Sequence, residues 1–360
     1  MSRKTLSLAL ALVLLLSACG KGPEAGAPPS PTPVFPAASP TPEPEPTPYD
    51  GPVNPLTGLP LEHGSPDDRP VAIMLNNLKK ALPQLGVSQA DIIYEVLAEG
   101  GITRMLGVYQ SVEGVGTIGS VRSSRPYYLE LALGHDAVYL HAGGSPDAYS
   151  KIKSWGVTAL DCVNGPYEGT LFWRDQWRRK NLGYEHSVVT SGEAITTLFP
   201  SYSFRQRHQE GYTYDMAFAE DGAEDGAPGG ETAQSVTVPF SDYKTGLFTY
   251  DAGTGLYLVS EYGQPYVDGN SGEQVGVTNL LILKTRCANI PGDEYGRITV
   301  DLTGGEGWFA CGGQYVPIRW EKGFPNGQLR YYTADGAPLV LGQGRSYVCV
   351  VPLNSDVTFS

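Results

Sequence analysis

The sequence contains no CxxC pair, no histidines at i, i+4 spacing, no GxSxG elbow, no Walker A loop, no GxGxxG after a strand and no kinase signature. Those absences remove the common readings as a zinc protein, a metalloprotease, a serine hydrolase or a nucleotide-dependent enzyme. No metal and no cofactor is expected. Positive charge is scarce, with 25 Lys and Arg against 38 Asp and Glu for a formal net charge of −13, which argues against a nucleic-acid partner. The acidity is uneven, because 211–233 holds six acids and no base. Long apolar runs are absent as well. The run from Leu6 to Leu16 falls well short of the roughly 20 residues that a mature membrane-spanning helix takes.

What is present begins with that short run. Arg3 and Lys4 precede it, and it ends in Leu16-Ser17-Ala18-Cys19-Gly20. The arrangement resembles a lipobox, which implies cleavage before Cys19 and a diacylglyceryl group on its thiol. Residues 20–50, with PPSPTPVFPAASPTPEPEPTP, are too rich in proline for helix and too poor in apolar residues for a core, so they read as an extended tether. The expected address is the extracytoplasmic face of the cell membrane, held by the lipid on Cys19.

Beyond the tether, 41% hydrophobic residues, 45 glycines and 22 tyrosines suit a folded, turn-rich, strand-rich body. Over 51–218 the pattern predicts strands at 71–76, 91–96, 104–110, 116–121 and 136–141 and helices at 125–134, 146–154 and 191–199. That is an α/β domain with helices packed on a mixed sheet. The acidic, glycine-rich segment 219–234 reads as a linker, and 235–360 shows only short alternating strands. The fold class expected is therefore α+β, with signal peptide 1–18, tether 19–50, an N-terminal α/β domain 51–218 and a C-terminal all-β domain 235–360. Of the remaining cysteines, Cys287, Cys311 and Cys349 leave one disulfide open as an alternative to three buried thiols, and Cys162 reads as core.

Several phrases carry a family resemblance. NPLTGLP at 54–60, RPVAIMLNN at 69–77, ADIIYEVLAEGGITRMLGVYQS at 90–111, IGSVRSSRPYYLELA at 118–132, DAVYLHAGGSPDAY at 136–149 and RITVDLTGGEGWF at 297–309 resemble the YerB-like lipoproteins, which pair N- and C-terminal domains of unknown function. The resemblance implies an address and an architecture, not an activity.

The candidate chemistry is an anion site. In HAGGSPDAY a strand ends at His141, Gly143 and Gly144 allow a tight turn, Ser145 stands where an N-cap belongs and Pro146 suits the first helical position. Such a junction turns free backbone N–H groups outward. SVRSSRPYY repeats the pattern, with Ser123 in the turn and Pro126 opening a helix. Arg104, Arg122 and Arg125 could clamp a phosphate or carboxylate there. The competing reading has these arginines paired with Asp91, Glu95, Glu99 or Asp147. His186 follows the basic run 178–180, and Trp155, Phe172, Trp173 and Trp177 cluster nearby, either as a glycan or peptide surface or as core. The order of these segments also resembles the layout of LytR-CpsA-Psr enzymes, which implies that Asp91 would join Arg122 and Arg125 around a polyprenyl pyrophosphate.

Two functional readings follow. One is an envelope binding or assembly factor, non-catalytic or weakly catalytic, whose partner is a cell-wall glycopolymer or another envelope protein. The alternative is a transferase-like enzyme acting on polyprenyl-pyrophosphate-linked cell-wall glycopolymers.

Overall fold

A computed structural model describes residues 49–220 and 229–360. Cys19, the signal segment 1–18, the tether through residue 48 and the middle of the acidic segment lie outside the described residues.

The centre of the molecule is one large sheet. Its N-terminal part contains β1 (Val71–Asn76), β2 (Ile92–Leu97) and β3 (Thr103–Tyr109), with β3 antiparallel to both β1 and β2. All 19 residues of these three strands are buried. Such continuous apolar runs belong to strands covered on both faces. The side chains divide by alternation: Val71, Ile73 and Leu75 enter one apolar cluster, and Ala72 and Met74 the other. Burying each such aliphatic side chain contributes about 1.5–3 kcal/mol.

Outward from β1 the sheet continues with Val138–His141 and Ala159–Asp161, both parallel to it. These two strands are joined by α2 (Pro146–Trp155) in a strand–helix–strand unit, and α1 (Pro126–Gly134) leads into the first of them. On the other side the sheet runs through Ser346–Pro352, Asn279–Thr285, Gly304–Cys311 and Gln314–Lys322. Ser346–Pro352 is parallel to both β2 and Asn279–Thr285, so a strand from the end of the chain sits between the N-terminal and C-terminal strands. A second sheet, built on Ser235–Pro239, Thr245–Asp251 and Leu256–Glu261, supplies Val236, Phe248 and Val259 to one apolar cluster; α1 supplies Tyr128, Leu129 and Ala132 to the other.

The fold is the expected α+β arrangement. Among the described residues, helices are confined to the N-terminal half and strands fill the C-terminal half. Cys287 and Cys349 carry free thiols, which removes every disulfide pairing among Cys287, Cys311 and Cys349. Cys349 lies in the central strand Ser346–Pro352, where an apolar environment accommodates a thiol as a small hydrophobe. Cys162 is buried too.

Candidate functional site

The two strand-to-helix junctions singled out by their glycine, serine and proline pattern lie side by side. Ser124 and Gly144 form a parallel bridge, the Ser124 N–H donates to the Gly143 carbonyl at 2.9 Å, and the Ser123 hydroxyl donates to the Ala142 carbonyl at 3.0 Å. Ser145 caps α2, its hydroxyl accepting from the Ala148 N–H at 3.2 Å, and Pro146 takes the first helical position. Arg125 holds the cap position of α1 with no side-chain hydrogen bond to the helix; Pro126 has no N–H to give, and the Tyr128 N–H donates to the Arg125 carbonyl at 3.1 Å.

The turn after His141 is already occupied by protein groups. Asp161 accepts from the Gly143 N–H at 2.8 Å and from the Tyr149 hydroxyl at 2.7 Å, and the His141 ring donates from Nδ1 to the Gly143 carbonyl at 2.8 Å. Burial lowers the His141 pKa against the pull of Asp161, 3.8 Å away. This turn therefore binds its own carboxylate through the Gly143 amide.

The three arginines come together around acids of the chain. Glu99 receives Arg104 Nη2 and Arg125 Nη2 on one oxygen, the Arg125 contact measuring 2.5 Å, and Arg125 Nε on the other at 3.0 Å. Burial pushes the Glu99 carboxyl up, but Arg104 and Arg125 outweigh it and hold it below its ordinary value. Arg122 donates to the Glu185 carbonyl at 2.7 Å and stands 3.6 Å from the Glu185 carboxylate. Its pKa is lowered by burial and by Arg104 beside it. Glu99 is one of the four acids that the competing reading offered as partners, with Gly100 and Gly101 in the left-handed region turning the chain back toward β3.

Of the other residues named from sequence, His186 reaches the cluster through Glu185, which lies 3.3 Å from its Nε2 and pairs with Arg122, while Asp91 does not. Asp91 precedes β2 while Arg104 pairs opposite Val96 at its far end, so the length of the strand, about 16 Å, lies between. Asp91 accepts from the Gln110 N–H at 2.6 Å and Asn54 Nδ2 at 2.9 Å, and burial pushes its pKa up to about 6 against those bonds. His186 is buried, with Asn76 Nδ2 2.9 Å from its Nδ1. The tryptophan cluster divides: Phe172 is core, Trp173 and Trp177 flank an open patch with Arg174 and Arg179, and Trp155 ends α2 elsewhere.

Trp155 leads to the feature that sequence reasoning missed. A groove of about 490 Å³ opens between the N-terminal ends of α1 and α2 and the Cys287–Val300 hairpin. Arg125, Lys151 and Arg297 line it together with Glu130, Asp147 and Asp293. Trp155 meets Phe324 edge to face at 5.4 Å, and Lys151 Nζ lies 5.2 Å over the indole. Phe324 is 64% exposed, a large ring held at the mouth rather than in the core. Burial pushes the Glu130 carboxyl up to about 7, with Lys322 opposing. Arg297, Asp293 and Phe324 have no local signature linking them to α1. Arg125 is the one residue shared by the arginine cluster and the groove.

Comparison with known proteins finds two matching stretches. Residues 56–205 match the family described as "Protein of unknown function (DUF3048) N-terminal domain", and residues 236–348 match its C-terminal domain. The chain is 33% identical over 303 residues to a Bacillus subtilis (strain 168) protein named "Putative lipoprotein YerB", covering 83% of this chain and 86% of that one. The crystal structure of the YerB protein from Bacillus subtilis superimposes with a TM-score of 0.73 at 29% identity, covering 85% of this chain and 99% of that one.

Proposed function

The chain belongs to the DUF3048 family of proteins of unknown function, and we propose that it is a lipid-anchored extracytoplasmic protein that holds an anionic cell-wall glycopolymer in the groove between α1 and α2. Support for the anchor comes from the Leu16–Gly20 sequence around Cys19 and from the name of the relative, which describes it as a lipoprotein. Two buried acyl chains, at about 0.8 kcal/mol per CH₂, would hold the body at the membrane surface.

The groove carries the binding half of the proposal. Sugar rings stack on aromatic faces, and Trp155 with Phe324 offers such a surface at its wall. Phosphate or carboxylate groups on the polymer would meet Arg125, Lys151 and Arg297, and the uncapped first turn of α1 adds a favourable dipole. Glu130 and Asp147 offer acceptors to sugar hydroxyls, while Asp293 is taken up by Arg297. The reaction of a pyrophosphate transferase is not favoured by the geometry, because Asp91 stands at the opposite end of β2 from Arg104.

Co-sedimentation tests this reading. The full chain is expected to pellet with isolated cell walls and to lose most of that binding once their anionic polymers are stripped by mild acid. Equal retention on stripped and intact walls, or none on either, contradicts it.

A further inference from the structure

A second constellation lies in the core, away from the groove. Lys244 is 0% exposed, in the turn between Ser235–Pro239 and Thr245–Asp251. Its Nζ lies 2.9 Å from Glu95 Oε1 and 3.0 Å from Glu261 Oε1. The same two oxygens receive the side-chain amide of Asn77, at 2.8 and 3.2 Å. Lysine nitrogen and asparagine amide thus meet across one shared pair of carboxylate oxygens. Thr103 and Tyr347 hydroxyls fix Glu95, each at 2.6 Å, and the rings of Phe240 and Tyr262 stand 5.4 Å from Nζ.

As a plain ion pair the cluster is poorly made. Two acids face one base in a dry interior, and both Asn77 Oδ1 and Glu261 Oε2 lack a partner. Burial disfavours the ammonium, but Glu261 and Glu95 outweigh it and hold the Lys244 pKa above its ordinary value. An amide between the two side chains would remove the lysine charge from the interior. Asn77 follows β1 and Lys244 follows the acidic segment, so the link would close the chain across the two halves.

We propose that Lys244 and Asn77 form an intramolecular isopeptide bond, made by the folded chain on itself. A proton passes from Nζ to one of the two carboxylates. The freed lone pair attacks Asn77 Cγ, forming the Nζ–Cγ bond; the same carboxyl returns its proton to Nδ2 as the Cγ–Nδ2 bond breaks, and the second proton that Nζ loses on becoming an amide nitrogen passes to the other carboxylate. Ammonia leaves, and no oxidant, reductant or co-reactant is consumed. Glu95 and Glu261 are placed for this relay because each touches both nitrogens. Burial pushes the Glu261 carboxyl up to about 7, with Lys244 opposing and Glu95 adding, which suits a group that takes and returns a proton near neutrality.

Mass spectrometry of the full chain, denatured and digested with trypsin, decides the matter. The expected result is one cross-linked peptide joining the Asn77 and Lys244 regions, lighter than its two parents by one ammonia, with no cleavage after Lys244. Lys244→Arg is expected to restore the separate Asn77 peptide. The proposal is overturned if the unaltered chain yields cleavage after Lys244 and an Asn77 peptide with its side-chain amide intact, or deaminated to aspartate and unlinked. Because the deciding observation is made on the unaltered chain, misfolding of a variant cannot obscure it.

Discussion

Ser124 pairs with Gly144 in a parallel bridge, and its buried hydroxyl receives the Tyr139 phenol at 2.9 Å. This contact sets α1 and α2 side by side and so defines the mouth of the groove. Ser124→Ala leaves the Tyr139 hydroxyl without its acceptor in a fully buried place. A loss of about 1–3 kcal/mol in urea unfolding is expected; an unchanged midpoint would mean that the bridge is held by other contacts.

Acid stability is expected to depend on Asp136. Its side chain takes Arg205 at 2.6 and 2.8 Å and His208 at 3.0 Å, with Arg69 3.5 Å away. Burial pushes its pKa up, but these partners win and bring it down to about 2. A folded pKa below the unfolded value near 3.9 contributes stability that is complete above about pH 4 and is lost as pH falls toward 2. Asp136→Asn keeps a residue that tolerates the φ of 49° found here. It is expected to be less stable by about 1–2 kcal/mol at pH 7, after allowance for solvent screening, with the gap closing by pH 2. A gap independent of pH would refute the electrostatic origin.

Glu130 gives ligand binding a pH dependence of definite sign. It lines the groove with a pKa pushed to about 7 by burial. Protonation removes a negative charge facing the polymer, so affinity for an anionic glycan is expected to rise as pH falls from 8 to 6. Glu130→Gln should flatten that slope. A slope of opposite sign in the unaltered chain would contradict the placement of the anion.

Lipidation is checked independently of the groove. Labelled palmitate is expected to enter the protein in growing cells, and Cys19→Ala to abolish both the label and membrane retention. Label persisting in that variant would remove the basis for the anchor.

The local architecture was legible in the residues, and the long-range assembly was not. VAIMLN at 71–76 forms a strand over those residues, because an unbroken apolar run flanked by Pro70 and polar Asn77 has little alternative. Ser145 and Pro146 announced the start of α2 through cap chemistry, and Gly156 ends it in the left-handed conformation. Pairing between distant strands leaves no such trace. Nothing around Ser346–Pro352 indicates that it lies between β2 and Asn279–Thr285. The groove was hidden for the same reason, since Arg297 and Phe324 reach it from segments remote from α1. Trp155, Phe172 and Trp177 were close in sequence but were separated by the helix ends and turns between them. The partners of Arg104 and Arg125 required geometry to choose Glu99 among several nearby acids.

The most direct measurement is a calorimetric titration of the soluble body, residues 49–360, with a purified phosphate-bearing wall glycan, comparing the unaltered sequence with Arg125→Ala plus Trp155→Ala. Saturable binding that weakens at least tenfold in the double variant, about 1.4 kcal/mol, with unfolding midpoints alike, is the result expected. Equal affinity in the two proteins would place the ligand elsewhere and contradict the groove as the binding site.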